Sequence, residues 1–106
     1  MAWVFLGVAG LLEVVWAYAM KLSEGFTRPA ASVVTIVAMI FSFGLLSLAM
    51  RSLPLGTAYT VWTGIGAVGA FIVGILVLGE ALTVTRVLAA ALIVSGLVLM
   101  KISSPV

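Results

Sequence analysis

Cysteine and histidine are both missing from this sequence. Their absence excludes disulfide scaffolds, thiol catalysis and the commonest metal ligands, so no metal and no cofactor is expected. Charge is nearly as scarce. Only 8% of the residues are charged, against roughly 25% in a soluble domain. The five basic and three acidic side chains are spread along the chain. No basic cluster can follow a phosphate backbone, which argues against a nucleic-acid partner. What fills the space is apolar: 65% of 106 residues are hydrophobic, and the mean hydropathy is +1.44. A chain this short cannot hide so much apolar surface from water, because small domains bury only about 60–70% of their unfolded surface. The solvent is therefore lipid, and water-soluble enzymes and disordered linkers are excluded with it.

Crossing a hydrocarbon core of roughly 30 Å takes about 20 apolar residues in a helix. Four such helices consume about 80 residues and leave room for turns; five would not. Charged residues and Pro/Gly breaks predict one four-helix transmembrane domain over residues 1–106, with spans at about 2–20, 30–50, 57–79 and 85–101. Pro29 suits a helix start, where its missing N–H costs little. Pro54 and Gly56 break the second span, and Thr83 or Thr85 can cap the fourth. The first span does not read as a signal peptide, because no Lys or Arg precedes Lys21 and Glu13 interrupts its apolar centre. Ser103, Ser104, Pro105 and Val106 are expected to form a tail.

With both termini on one side, that side carries Arg51 and Lys101 and the other carries Lys21, Arg28 and Arg86. Two against three is too small a bias to fix one topology. Dual insertion is the preferred reading; the alternative is that Lys21 and Arg28, in one short turn, fix a single orientation. Four helices also enclose little beyond their own packing. A dimer is the natural unit, and an antiparallel one would imitate the inverted repeats of larger transporters.

Seven of the eight charged residues fall at span ends or turns; Glu13 does not. It lies about ten residues into the first span, near ~15 Å depth. A charge there costs at least about 2.5–3.5 kcal/mol. No basic residue lies at a similar depth, so protons or an external cation must supply the counter-charge. The competing reading is a protonated carboxyl acting as interhelical glue. Gly10, Trp16 and Ala17 share the face of Glu13. Gly10 and Ala17 leave room beside the carboxyl, although Gly10 alone would be read as close helix packing. Trp16 offers an indole N–H and a ring face that attracts cations.

Ser42 stands alone among apolar neighbours in the second span, free to bond its own backbone or to serve the site. In the third span Tyr59, Trp62 and Gly66 recur at helical spacing, offering a phenol, an indole and a gap. Gly64 and Gly66, with Gly69, allow close packing or a kink at which one helix end swings. In the fourth span, Ala91, Leu92, Ser95 and Gly96 lie on a stretch rich in small residues, suited to dimer packing. One carboxylate without His, Cys or Asp offers little for catalytic turnover, so no enzyme is expected. A non-transporting assembly partner would leave Glu13, Trp16 and Trp62 without a task.

These residues resemble the small multidrug resistance family of bacterial exporters. The likeness covers the whole chain: four short spans, a single Glu in the first, and the stretch Gly56-Thr57-Ala58-Tyr59 followed by Val61-Trp62-Thr63-Gly64-Ile65-Gly66-Ala67-Val68-Gly69. Leu11-Leu12-Glu13-Val14-Val15-Trp16-Ala17 resembles the guanidinium-exporter branch. So do Thr63, where the multidrug branch has Trp, and Ile40, where that branch has an aromatic. The resemblance implies an antiparallel, dual-topology homodimer in the bacterial inner (plasma) membrane. It also implies exchange of protons for guanidinium and small substituted guanidinium cations at paired Glu13 carboxylates. Gly10, Trp16, Ser42, Tyr59 and Trp62 match positions that line or orient that site, and the stretch from Ala91 to Gly96 matches the dimer-forming segment. Lys101 matches a commonly basic position with no binding role assigned. The chemistry agrees, since planar guanidinium presents paired N–H donors that fit a carboxylate edge. The alternative function is broad export of quaternary ammonium or lipophilic cations.

Overall fold

The computed structural model describes residues 1–103; Ser104, Pro105 and Val106, most of the expected tail, lie outside the described residues. Ser103 belongs to the last helix. Four helices make up the fold: α1 (Ala2–Leu22), α2 (Pro29–Ala49), α3 (Leu55–Leu76) and α4 (Val84–Ser103). Each is long and apolar enough to cross a membrane. The 21 residues of α1 span about 31 Å at about 1.5 Å per residue. Lys21 and Lys101 sit in the last turns of α1 and α4, where a cation complements the helix dipole.

The turns follow from local chemistry. Ser23 ends α1 and is fully buried. Its hydroxyl donates to Met20 O at 2.7 Å and accepts from the Phe26 N–H at 3.0 Å. Glu24, Gly25 and Phe26 then follow one another in the left-handed region, at φ 48°, 75° and 66°. Only Gly25 adopts that conformation without a steric penalty. The Thr27 hydroxyl holds the turn by donating to Ser23 O and Glu24 O, and Arg28 Nε donates to Glu24 Oε2 at 3.0 Å. Pro29 opens α2 at its first position. Pro54 caps α3, so Gly56 lies inside its first turn. Thr83 rather than Thr85 caps α4, accepting the Arg86 N–H at 3.2 Å.

The helices form a row, α2–α1–α3–α4, with a lesser contact between α2 and α3. The result is a slab of 43 × 34 × 16 Å. Its main core gathers at one end: Leu6 and Ala9 of α1 meet Leu46 and Ala49 of α2, Leu53 of the turn, and Ala58, Val61 and Trp62 of α3. α1 and α2 also pack further along their length, through Ala19, Ser23, Thr35 and Ala38, all buried. α1 and α3 instead part toward the end that carries the α1–α2 and α3–α4 turns, where a cleft of about 350 Å³ opens between them. α4 packs chiefly on α3 and has no buried residue. Leu97 reaches into the space left by Gly64, where a Cβ would meet its Cδ2 at 2.5 Å. At the end of α4 the Lys101 ammonium lies 4.4 Å from the Trp3 ring centre, so the start of α1 and the end of α4 lie at the same side of the slab.

Candidate functional site

Glu13 occupies the middle of α1 and is partly buried against α3. Its carboxyl rests on Gly66: a Cβ at residue 66 would collide with Glu13 Cδ and Oε1. One turn on, Gly69 likewise takes up Val14. Glu13 Oε1 is buried without a hydrogen-bond partner among the described residues, and so is Trp16 Nε1. A buried, unpartnered carboxyl oxygen and indole N–H are each costly, and native proteins rarely leave them so without a use.

Ser42 and Trp62 meet at the centre of the three-helix contact. The Ser42 hydroxyl donates to Ala9 O of α1 at 2.7 Å, and the Trp62 indole N–H donates to Ser42 Oγ at 3.0 Å. Both bonds are buried. Ser42 therefore bonds across helices rather than to its own backbone, and joins α1, α2 and α3 in one polar relay.

An aromatic chain runs past this relay. Trp16 meets Phe43 edge-on at 6.3 Å between ring centres, Phe43 meets Trp62 at 5.7 Å, and Trp62 meets Tyr59 at 5.6 Å. Tyr59 stays exposed at 53% of its surface. Phe43 escaped the reading of the sequence, because an apolar residue in an apolar span carries no contrast; its one signal was adjacency to Ser42.

The structure thus brings Ser42, Trp62 and Tyr59 together directly and links Trp16 to them through Phe43. Glu13 lies on the α1–α3 seam. Gly10 is buried, and a Cβ there would approach Ile65 Cγ2 to 2.6 Å, so its visible task is close packing of α1 on α3. α3 is helical from Leu55 to Leu76 through Gly64 and Gly66, and those glycines admit Leu97 and Glu13 respectively. Ala91, Leu92, Ser95 and Gly96 are exposed on α4. Ser95 donates to Ala91 O at 2.8 Å within the helix, and Leu92 is 65% exposed. Among the described residues, nothing beyond its own helix lies within 4 Å of a Cβ placed on Gly96.

Chemically, the arrangement offers one mid-span carboxyl with an unpartnered oxygen, an unpaired indole donor on the same helix, and a run of ring faces. Such a set is chemically suited to a cation or a proton. Comparison with known proteins bears on which. The profile of the family described as "Small Multidrug Resistance protein" matches residues 1–93. A protein of Citrobacter freundii named "Guanidinium exporter" is 58% identical over 104 residues, covering 98% of this chain and 99% of its own. One of the same name from Klebsiella oxytoca has the same identity and coverage. Another, from Proteus vulgaris, is 55% identical over 98% of this chain and all of its own.

Proposed function

The chain belongs to the Small Multidrug Resistance protein family, and on that premise we propose that it exports guanidinium and small substituted guanidinium cations in exchange for protons. It is a multi-pass membrane protein, and its work is transport across the bacterial plasma membrane rather than catalysis. The observation that carries the reading is the Glu13 carboxyl, set mid-span with an unpartnered buried oxygen. The two ion pairs among the described residues, Glu24–Arg28 and Glu80–Arg86, lie at the turns and span ends. Glu13 is left for a mobile counter-charge. A proton and a guanidinium are alternatives there, because protonation removes the charge that holds the cation. The inward proton gradient then drives the cation out.

The functional unit is an antiparallel homodimer of dual topology. A slab 16 Å thick is one helix layer, and one layer cannot wall a cavity. A second, inverted copy supplies the opposite wall and a second Glu13, so that two carboxylates can grip opposite edges of a planar cation. α4, bare of buried residues, is the contact surface, around Ala91, Leu92, Ser95 and Gly96. In each copy Trp16 and Tyr59 present rings and polar tips to the site, while Ser42 and Trp62 hold the three helices that carry it. Gly64 and Gly66 allow α3 to flex as the access side changes.

Substrate-evoked currents from liposomes containing the purified protein test this. Guanidinium is expected to evoke a current that Glu13→Gln abolishes. Equal or larger currents with a small quaternary ammonium ion would move the assignment to broad multidrug export. Silence with both would leave Glu13 as interhelical glue.

A further inference from the structure

The cleft between α1 and α3 lies outside the site just described. Its inner wall is formed by Val14 and Ala67, the residues that directly follow Glu13 and Gly66, and its mouth carries Tyr18, Lys21, Glu80 and Arg86. Glu80 is fixed there by its backbone. Gly79 turns the chain at φ 70°, and the Glu80 N–H donates to Gly74 O at 2.9 Å. Its carboxyl lies over Gly74, where a Cβ would run into it.

Arg86 faces that carboxyl, but loosely. Its Nη2 stands 3.6 Å from Glu80 Oε1, beyond the reach of a charge-assisted hydrogen bond. Its firmer contacts are elsewhere: Nη1 donates to Ala81 O at 2.7 Å, and the guanidinium lies 5.3 Å from the Phe71 ring centre. The mouth therefore already contains a guanidinium, resting between a carboxylate, a carbonyl and an aromatic face. The Glu80 carboxylate has no other side-chain partner among the described residues.

Given the export of guanidinium cations proposed above, on which this rests, we infer that Glu80 is an outer binding site for guanidinium-type cations, occupied by Arg86 until the substrate displaces it. The exchange conserves charge, since one guanidinium replaces another beside the same carboxylate. It also answers the electrostatics of the mouth. Lys21 and Arg86 outnumber Glu80, so an incoming cation gains a foothold only by taking the carboxylate that Arg86 holds weakly. A cation of different shape cannot reproduce the paired N–H contacts and enters at a disadvantage.

Initial rates of guanidinium-evoked current against concentration, in liposomes with the full chain, test the exchange. Absence of current from the wild-type protein would overturn both this inference and the reading beneath it. With wild-type current present, Glu80→Gln should raise KM about three- to tenfold and leave the saturating rate unchanged. Arg86→Gln should lower KM, because it frees the carboxylate. Glu80→Asp should restore KM toward the wild-type value. A purely structural ion pair would make Glu80→Gln and Arg86→Gln err in the same direction, and that result overturns the inference. Lys21→Gln removes the same charge from the same mouth without touching Glu80. If it lowers KM as much as Arg86→Gln does, bulk electrostatics is the cause and the exchange site is refuted. Should Glu80→Gln fail to reconstitute, Arg86→Gln with an unchanged or raised KM refutes it alone.

Discussion

Glu13 and Gly66 are fitted to each other across the α1–α3 seam: the carboxyl occupies the space that any side chain at residue 66 would need, and a Cβ there would come within 2.7 Å of Glu13 Cγ. A glycine at this point of α3 costs helix stability of roughly 1 kcal/mol relative to alanine, and that cost is repaid only while the carboxyl lies in the gap. Gly66→Ala should therefore push the carboxyl out of register. We expect guanidinium affinity to fall by about tenfold or more, with the helical content of the purified protein unchanged by circular dichroism.

Competition at Glu13 has a definite sign. Lowering pH protonates the carboxyl and removes the charge that holds the cation, so the apparent Kd for guanidinium should rise as pH falls from about 9 to about 6. Once the carboxyl is largely protonated, the rise should approach tenfold per pH unit for each proton displaced. Binding titrations of the solubilised protein at several pH values measure this. A flat profile over that range would sink proton coupling at this residue.

Ser42→Ala tests the relay apart from the binding chemistry. The substitution leaves the Trp62 N–H buried without its acceptor and removes the tie to Ala9 O. A loss of about 1–2 kcal/mol is expected, read as a lower midpoint in denaturant titration of the detergent-solubilised protein. Because three helices share the relay, transport should slow as well.

Gly96→Leu separates the protomer from the dimer. A Cβ added at residue 96 has no close neighbour among the described residues beyond its own helix, and the groove of about 480 Å³ beside it leaves room for a longer side chain, so the single chain should still fold. If α4 is the contact between copies, cross-linking of dimers in membranes should drop sharply, and guanidinium current with it. Dimers that persist at the wild-type level would place the interface elsewhere.

The four helices and the mid-span charge were legible in the sequence because each is a matter of contrast. Apolar runs end at Pro, Gly and charge, and Glu13 is the one charge inside the apolar stretch from Ala2 to Met20. The partners were not legible. That Ser42 bonds Ala9 O, 33 residues away, depends on the register of α2 against α1, which no spacing within either helix encodes. Phe43 bridges Trp16 to Trp62 for the same reason. In the sequence Glu80 is one more charge beside a turn. Its seat over Gly74 appears only once the end of α3 folds back on itself.

The placement of the core has a mechanical consequence. Apolar burial is concentrated where α1, α2 and α3 meet beside the α2–α3 turn, and the α1–α3 cleft lies toward the opposite end. α1 and α2 are joined at that opposite end by a stiff left-handed turn and pack along much of their length. The protomer is thus built like tongs: a rigid double arm and a lighter single arm, with the fulcrum at the packed end. Spreading the tips exposes little apolar surface, because little is buried there, whereas sliding the arms at the fulcrum would break the Ser42 relay. Glu13 lies part-way along the arms, where, in the transport proposed above, a modest angular change would alter which side of the membrane it faces.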